Sequence, residues 1–190
     1  MNVQLPMHMD KAAFLAWAEG REERYELIEG RVVMMTRPRR AHAMIVGNLI
    51  VALRRRLDSR KWMVIAEFGL DAGPRTLRFP DIVVDRTGGD FNDRWARGPV
   101  LLAEVLSDSS RKTDLEDKSA EFLRLPSLQA YLVFAQREAK AWVWLREAGS
   151  FSSRPREIVG LGEAIRIAAL ETELPLVEVY ADMTFGHPQQ

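Results

Sequence analysis

"RFPDIVV" occupies residues 78–84 and contains a contradiction. Six of its residues suit a strand. Pro80 does not, because proline cannot donate to a ladder and belongs on edges or at bulges. Asp81 follows it, a carboxylate at the head of an apolar run that continues to Val84. A second acid, Glu104, has the same setting in "LLAEVL" (101–106). An unpaired buried carboxylate is costly and protonates rather than stay charged. Two of them on neighbouring strands call for a common partner. A divalent cation, magnesium or manganese, suits them, since hard cations take carboxylate oxygens and retain several waters. On this reading Pro80 interrupts the ladder, the strand bends, and Asp81 turns toward a site, as breaks and bulges beside active sites do. The alternative is that each acid pairs with an arginine.

Lys118 extends the pattern. Leu115, Phe122 and Leu125 form one helical stripe, and Lys118 falls within it at i+3. A lysine on an inward stripe is unusual. The helix leaves directly from the strand that carries Glu104, so its ammonium can return over the sheet end and stabilise negative charge or orient a water. The competing reading is a snorkelling side chain or a helix ion pair with Asp114.

The rest of the chain frames these residues. Asp10 caps a helix through "KAAFLAWAE", which Gly20 ends. "YELIEGRVVMM" (25–35) reads as a hairpin with its turn at Glu29-Gly30. From Ala41 to Leu57 a helical period carries Ile45, Leu49, Leu53 and Leu57. Three strand candidates follow: "WMVIAEFGL", "TLRFPDIVV" and "PVLLAEVLS", with "GGDFNDRWARG" (88–98) as a loop before the third. Thr113 and Glu116 form a capping box for a helix over about 114–125, stopped by Pro126. "AYLVFA" and "AWVWLRE" are paired strands, "SFSSRPRE" is a loop, and the tail suggests a short strand and a helical turn. The class is α+β, with a mixed sheet flanked by helices and an N-terminal helix and β-hairpin.

The 190 residues fit one domain with a sizeable core, and 47% hydrophobic content argues for a folded chain. There are no cysteines, which excludes disulfides and thiolate metal sites and favours a reducing cytoplasm. No secretory signal or membrane span is legible. Charge is formally zero but uneven. Residues 31–62 hold nine basic side chains and one acid, Asp58, a net of +8, while residues 1–30 carry −3. A positive segment on a neutral protein points to a phosphate-rich partner, unless it is a solubilising face with acids nearby.

The ordered set "YELIEGRVVMM", His42, "FPDIVV", "LLAEVLSDSSRKTD" and "DKSAEF" resembles the Uma family of restriction endonucleases, within the PD-(D/E)XK nuclease superfamily, from about residue 20 to 150. The resemblance implies a restriction-endonuclease-like core over 1–190, metal-dependent cleavage of phosphodiester bonds in nucleic acid, double-stranded DNA foremost, and often homodimers. It implies Asp81 and Glu104 as metal ligands, Glu26 as an acid that completes the metal site, Lys118 as the catalytic lysine, and His42 as a further catalytic candidate. His42 sits one turn before Val46 and in register with Leu49 and Leu53, where a lone inward histidine is more often a hydrogen-bonded core residue. Leu106 stands where the superfamily has lysine, Asp108 where the family usually has proline, and Phe122 where tyrosine is common. Three readings follow: a metal-dependent endonuclease, a decayed nuclease fold serving as a nucleic-acid or protein-interaction module, and a structural globule with ion-paired strand acids.

Overall fold

The computed structural model describes residues 3–35, 37–106 and 113–185. It resolves the contradiction at Pro80 by ending one strand and starting another. Thr76–Arg78 (β6) and Ile82–Arg86 (β7) belong to different sheets. Residues 79–81 carry the chain between them, so the missing proline N–H falls where no ladder runs.

β6 lies in an N-terminal sheet with Val3–His8 (β1), Tyr25–Ile28 (β2), Arg31–Met34 (β3) and Leu70–Gly73 (β5), in the order β1-β3-β2-β6-β5. The β2–β3 hairpin turns at Glu29 and Gly30, both with positive φ, as the sequence predicts. Helix α1 (Lys11–Ala18) covers this sheet, and Asp10 accepts from the Ala13 N–H at its start. Phe14, Leu27, Val32 and Leu77 form a small core there. β1 is not anticipated by the sequence reading. It is an edge strand whose register with β3 shifts between Gln4 and His8, the stretch that contains Pro6, and edges and irregularities are where proline fits.

β7 lies in the larger sheet. Its main path is Ser150–Phe151 (β11), Lys140–Glu147 (β10), Ala130–Phe134 (β9), Leu101–Val105 (β8), β7 and Trp62–Ala66 (β4), with Arg156–Val159 (β12) also on β10. The β8–β9 pair is parallel and its neighbours are antiparallel, so the sheet is mixed. Helix α2 (Arg40–Arg56) packs on one face through Ile45, Leu49 and Leu53, all fully buried, against Val64, Val84 and Ala103. Truncating any of these leucines should cost about 2–5 kcal/mol. The other face holds Val83, Leu102, Val133, Trp142 and Phe122.

The helix expected over about 114–125 is shorter. A π-helical turn spans Thr113–Asp117 and the α-helix proper, α3, spans Lys118–Phe122. The side chains of Thr113 and Asp114, and all of Asp108, lie outside the described residues. "WMVIAEFGL" divides at Glu67, whose φ is positive, into β4 and the approach to β5. The loop expected at "SFSSRPRE" contains β11 and the start of β12, because the backbone edge of β10 recruits partners that side-chain propensity does not favour. The tail forms a hairpin, Ala164–Ile167 (β13) with Thr172–Pro175 (β14), before the helical turn Leu176–Val179 (α4). Among the described residues no helix is long and apolar enough to cross a membrane.

Candidate active site

The antiparallel register pairs Ile82 with Ala103, so its extension by one residue sets Asp81 opposite Glu104. Side chains alternate along a strand. Glu104, inside β8, therefore shares its face with Leu102, while Asp81 lies just before β7 and reaches the first turn of α2. Because the chain turns away from the ladder at 79–81, Asp81 meets its neighbour through its side chain. The Val105 N–H donates to Asp81 Oδ2 at 2.7 Å, and the Asp81 N–H approaches Glu104 Oε2 at 3.4 Å.

Two cationic or dipolar groups close on this pair. Lys118 Nζ donates to Glu104 Oε1 at 2.7 Å. His42, on the first turn of α2, places Nε2 3.1 Å from Asp81 Oδ2. Asp81, Glu104 and Lys118 are all buried. Burial pushes the Asp81 carboxyl up, but the hydrogen bond and charge of His42, the Val105 N–H and the Lys118 charge outweigh it. The net result holds Asp81 below the ordinary carboxylate range. The carboxylate is thus the stable form inside an apolar setting.

Leu106 packs in the apolar core with Phe122 and Val133. Phe122 is fully buried and meets Tyr131 edge-on at 5.3 Å between ring centroids. The stripe Leu115–Phe122–Leu125 faces that same core, and Lys118 within it turns to Glu104. The π-helical turn directly before Lys118 is the kind of helix irregularity that recurs at functional sites.

Glu26 is held elsewhere. Its Oε2 accepts from Arg78 Nη1 and its Oε1 from the Phe79 N–H, each at 3.1 Å. Arg78 in turn grips Glu121 with two bonds, Nε to Oε2 at 2.8 Å and Nη2 to Oε1 at 2.6 Å. Burial pushes the Arg78 guanidinium down, and the two glutamates reverse this and raise it above its ordinary value. Arg78 and Glu121 were not singled out by the sequence reading. Both were findable, since Arg78 opens the quoted stretch and Glu121 follows Lys118 by one helical turn.

The donor set can be tested against a cation. Asp81 and Glu104 offer two hard oxygen ligands side by side, which fits magnesium or manganese with water and phosphate completing the shell. Among the described residues, no group of three or more His, Asp or Glu side chains is placed to hold one ion.

The basic segment 31–62 is divided by the fold. Arg37, Arg39 and Arg40 are exposed beside the His42 end of α2, while Arg54, Arg55, Arg60 and Lys61 are exposed at its far end. At 1.5 Å per residue, Arg54 lies about 18 Å from His42 along the axis. Arg56 is bound to Glu178 of α4, and Arg60 to Asp58.

Comparison with known proteins places this geometry in a family. The sequence profile of the Uma2 family, described as "Putative restriction endonuclease", matches residues 12–177. An uncharacterized protein of Synechocystis sp. is 27% identical over 130 residues, 66% of this chain and 73% of its own. The crystal structure of a "putative nuclease belonging to DUF820" from Anabaena variabilis superposes with a TM-score of 0.75. It covers 91% of this chain and 98% of its own at 15% identity, a likeness of fold.

Proposed function

The chain belongs to the Uma2 family of restriction-endonuclease-like proteins, and from that premise we propose that it is a divalent-metal-dependent endonuclease acting on double-stranded DNA. The observation that carries the proposal is the buried ammonium of Lys118 on Glu104, directly beside Asp81. A lysine loses hydration when buried and is retained where negative charge must be met. Two acids share the site, held by an ammonium, an imidazole and a backbone N–H, and carboxylate oxygens are what a hard cation takes.

In this reading Asp81 and Glu104 hold magnesium or manganese. The bound ion supplies a Lewis acid for the scissile phosphate and lowers the pKa of a coordinated water. Lys118 fixes the Glu104 carboxylate and faces the charge that develops on the phosphate. The Val105 N–H and His42 fix the Asp81 carboxylate, so both ligands are oriented before substrate arrives. Arg37, Arg39 and Arg40 lie at the site end of α2 and the second basic group about 18 Å away, so a duplex backbone can meet both. One site cuts one strand, so cleavage of both strands calls for a homodimer.

The test is cleavage of supercoiled plasmid in magnesium or manganese by wild type and by Asp81→Ala and Glu104→Ala. The expected result is nicking or linearisation that both substitutions and EDTA abolish. Retention of activity in either variant overturns the proposal. Salt-dependent DNA binding without cleavage under any divalent ion instead selects the decayed, binding-only reading.

A further inference from the structure

Lys118 sits on an α-helix of five residues that follows a π-helical turn. A helix this short does not hold its own direction, because nucleation is costly and most helical stability comes from packing. Something outside α3 must therefore aim Lys118. Phe122 packs one side of the helix into the apolar core. The other anchor is Glu121, which lies at i+3 from Lys118 and so on the same side of the helix. Arg78 binds Glu121 through two parallel hydrogen bonds, a geometry that fixes angle as well as distance.

Arg78 is itself immobilised. At 1% exposure it heads the large, fully buried side chains among the described residues, and Glu26 takes its remaining terminal nitrogen. Glu26 also holds the Phe79 N–H, two residues before Asp81. The same three side chains thus grip the turn that presents Asp81 and the helix that presents Lys118. Both Glu26 oxygens are engaged in doing so. Turning Glu26 toward a cation would leave Arg78 buried with one partner fewer, a costly state.

We infer that Glu26, Arg78 and Glu121 are positioning residues that set Lys118 against Glu104, and that Glu26 serves the site through Arg78 rather than as a ligand of the cation. The inference rests on the nuclease reading for its kinetic consequence, not for its geometry. It also accounts for Leu106: the ammonium is delivered from α3, and the guanidinium clamp replaces the rigidity that a strand position would have given.

Glu121 is partly exposed, so Glu121→Gln preserves volume while removing the charge that Arg78 reads. The expected result is a kcat for plasmid cleavage lowered about ten- to a hundredfold, as for groups that orient a metal site from behind, with KM little changed. Combined with Lys118→Ala, Glu121→Gln should add almost nothing, because it acts through Lys118. Multiplicative losses overturn the inference. In a calorimetric titration with Mn2+, Glu26→Gln should lose no more than about a hundredfold in affinity, the range for groups that orient ligands from behind. A larger loss makes Glu26 a ligand and overturns its assigned role. A third arm needs no cleavage: acetylation of Lys118, followed by mass spectrometry, should be slow in wild type and faster in Glu121→Gln. Equal rates overturn the inference even if the protein cuts DNA. If nothing is cut, the nuclease reading fails while this arm still decides the triad.

Discussion

Two buried charge clusters lie within a few residues of each other, and each contains two carboxylates. Around Arg78, Glu26 and Glu121 surround a planar guanidinium whose fork matches carboxylate oxygens, and that centre is closed. Around Glu104, the acids Asp81 and Glu104 meet a point-charge ammonium, an imidazole and a backbone N–H. An ammonium is compact and offers no fork, so it does not lock two carboxylates in one plane as a guanidinium does. The difference teaches that burial and pairing alone do not mark a site. What marks it is the kind of group that serves the acids: a planar fork that closes on both, or separate compact groups that each hold one.

The largest effect expected from this contrast is on stability. Arg78→Met should leave Glu26 uncompensated in the interior and cost about 3–5 kcal/mol, read as a shift of the urea midpoint. Glu104→Gln removes the carboxylate that the buried Lys118 ammonium meets at 2.7 Å, so it should also destabilise the fold in EDTA, but less, because Asp81 remains beside that ammonium. Equal losses in the two variants would erase the distinction between the clusters.

The next effect is kinetic. Lys118→Ala should lower magnesium-dependent cleavage by roughly a hundredfold or more, the typical loss for a preorganised charge donor, while metal affinity stays near wild type. Undiminished cleavage would make Lys118 as structural as Arg78.

A smaller effect is stabilisation by metal. Magnesium at tenfold above its dissociation constant should add about 1.4 kcal/mol to wild type by mass action. Asp81→Asn should abolish that gain, which thermal unfolding with and without the ion would measure. An unchanged gain would move the cation away from Asp81.

The smallest is a pH effect. The folded state holds the Asp81 carboxyl below its ordinary value. Its charge therefore contributes stability above the unfolded pKa, about 3.9, and that contribution is lost as pH falls through the folded value. Asp81→Asn should flatten the acid limb of the stability profile below about pH 4. An acid limb identical to wild type would show that the carboxylate gains nothing from its neighbours.

Much of this was legible in the sequence because it is local. The α2 period, the Glu29-Gly30 turn and the Asp10 cap depend on neighbours a few residues apart, and all three form. The juxtaposition of Asp81, Glu104 and Lys118 could be read because acids in apolar strands and a lysine in an apolar stripe break pattern visibly. β11 and β12 were not legible, since an edge of β10 supplies their partner. Nor was the commitment of Glu26 to Arg78, which lies 52 residues further along the chain. Composition gave the basic segment as a single block, and only the length of α2 separates its ends.

The passage of one continuous run, residues 76–86, from one sheet into the other has a consequence for how the molecule opens. β6 is pinned to β2 and β5, while β7 is pinned to β4 and β8. With Arg78 also bound across to α3, fraying of the smaller sheet pulls directly on the strand beside the acids. Amide exchange should therefore report shared opening for Leu77 and Val83 at a common free energy. That would make the N-terminal sheet and the central strands one foldon rather than a core with a loose appendage.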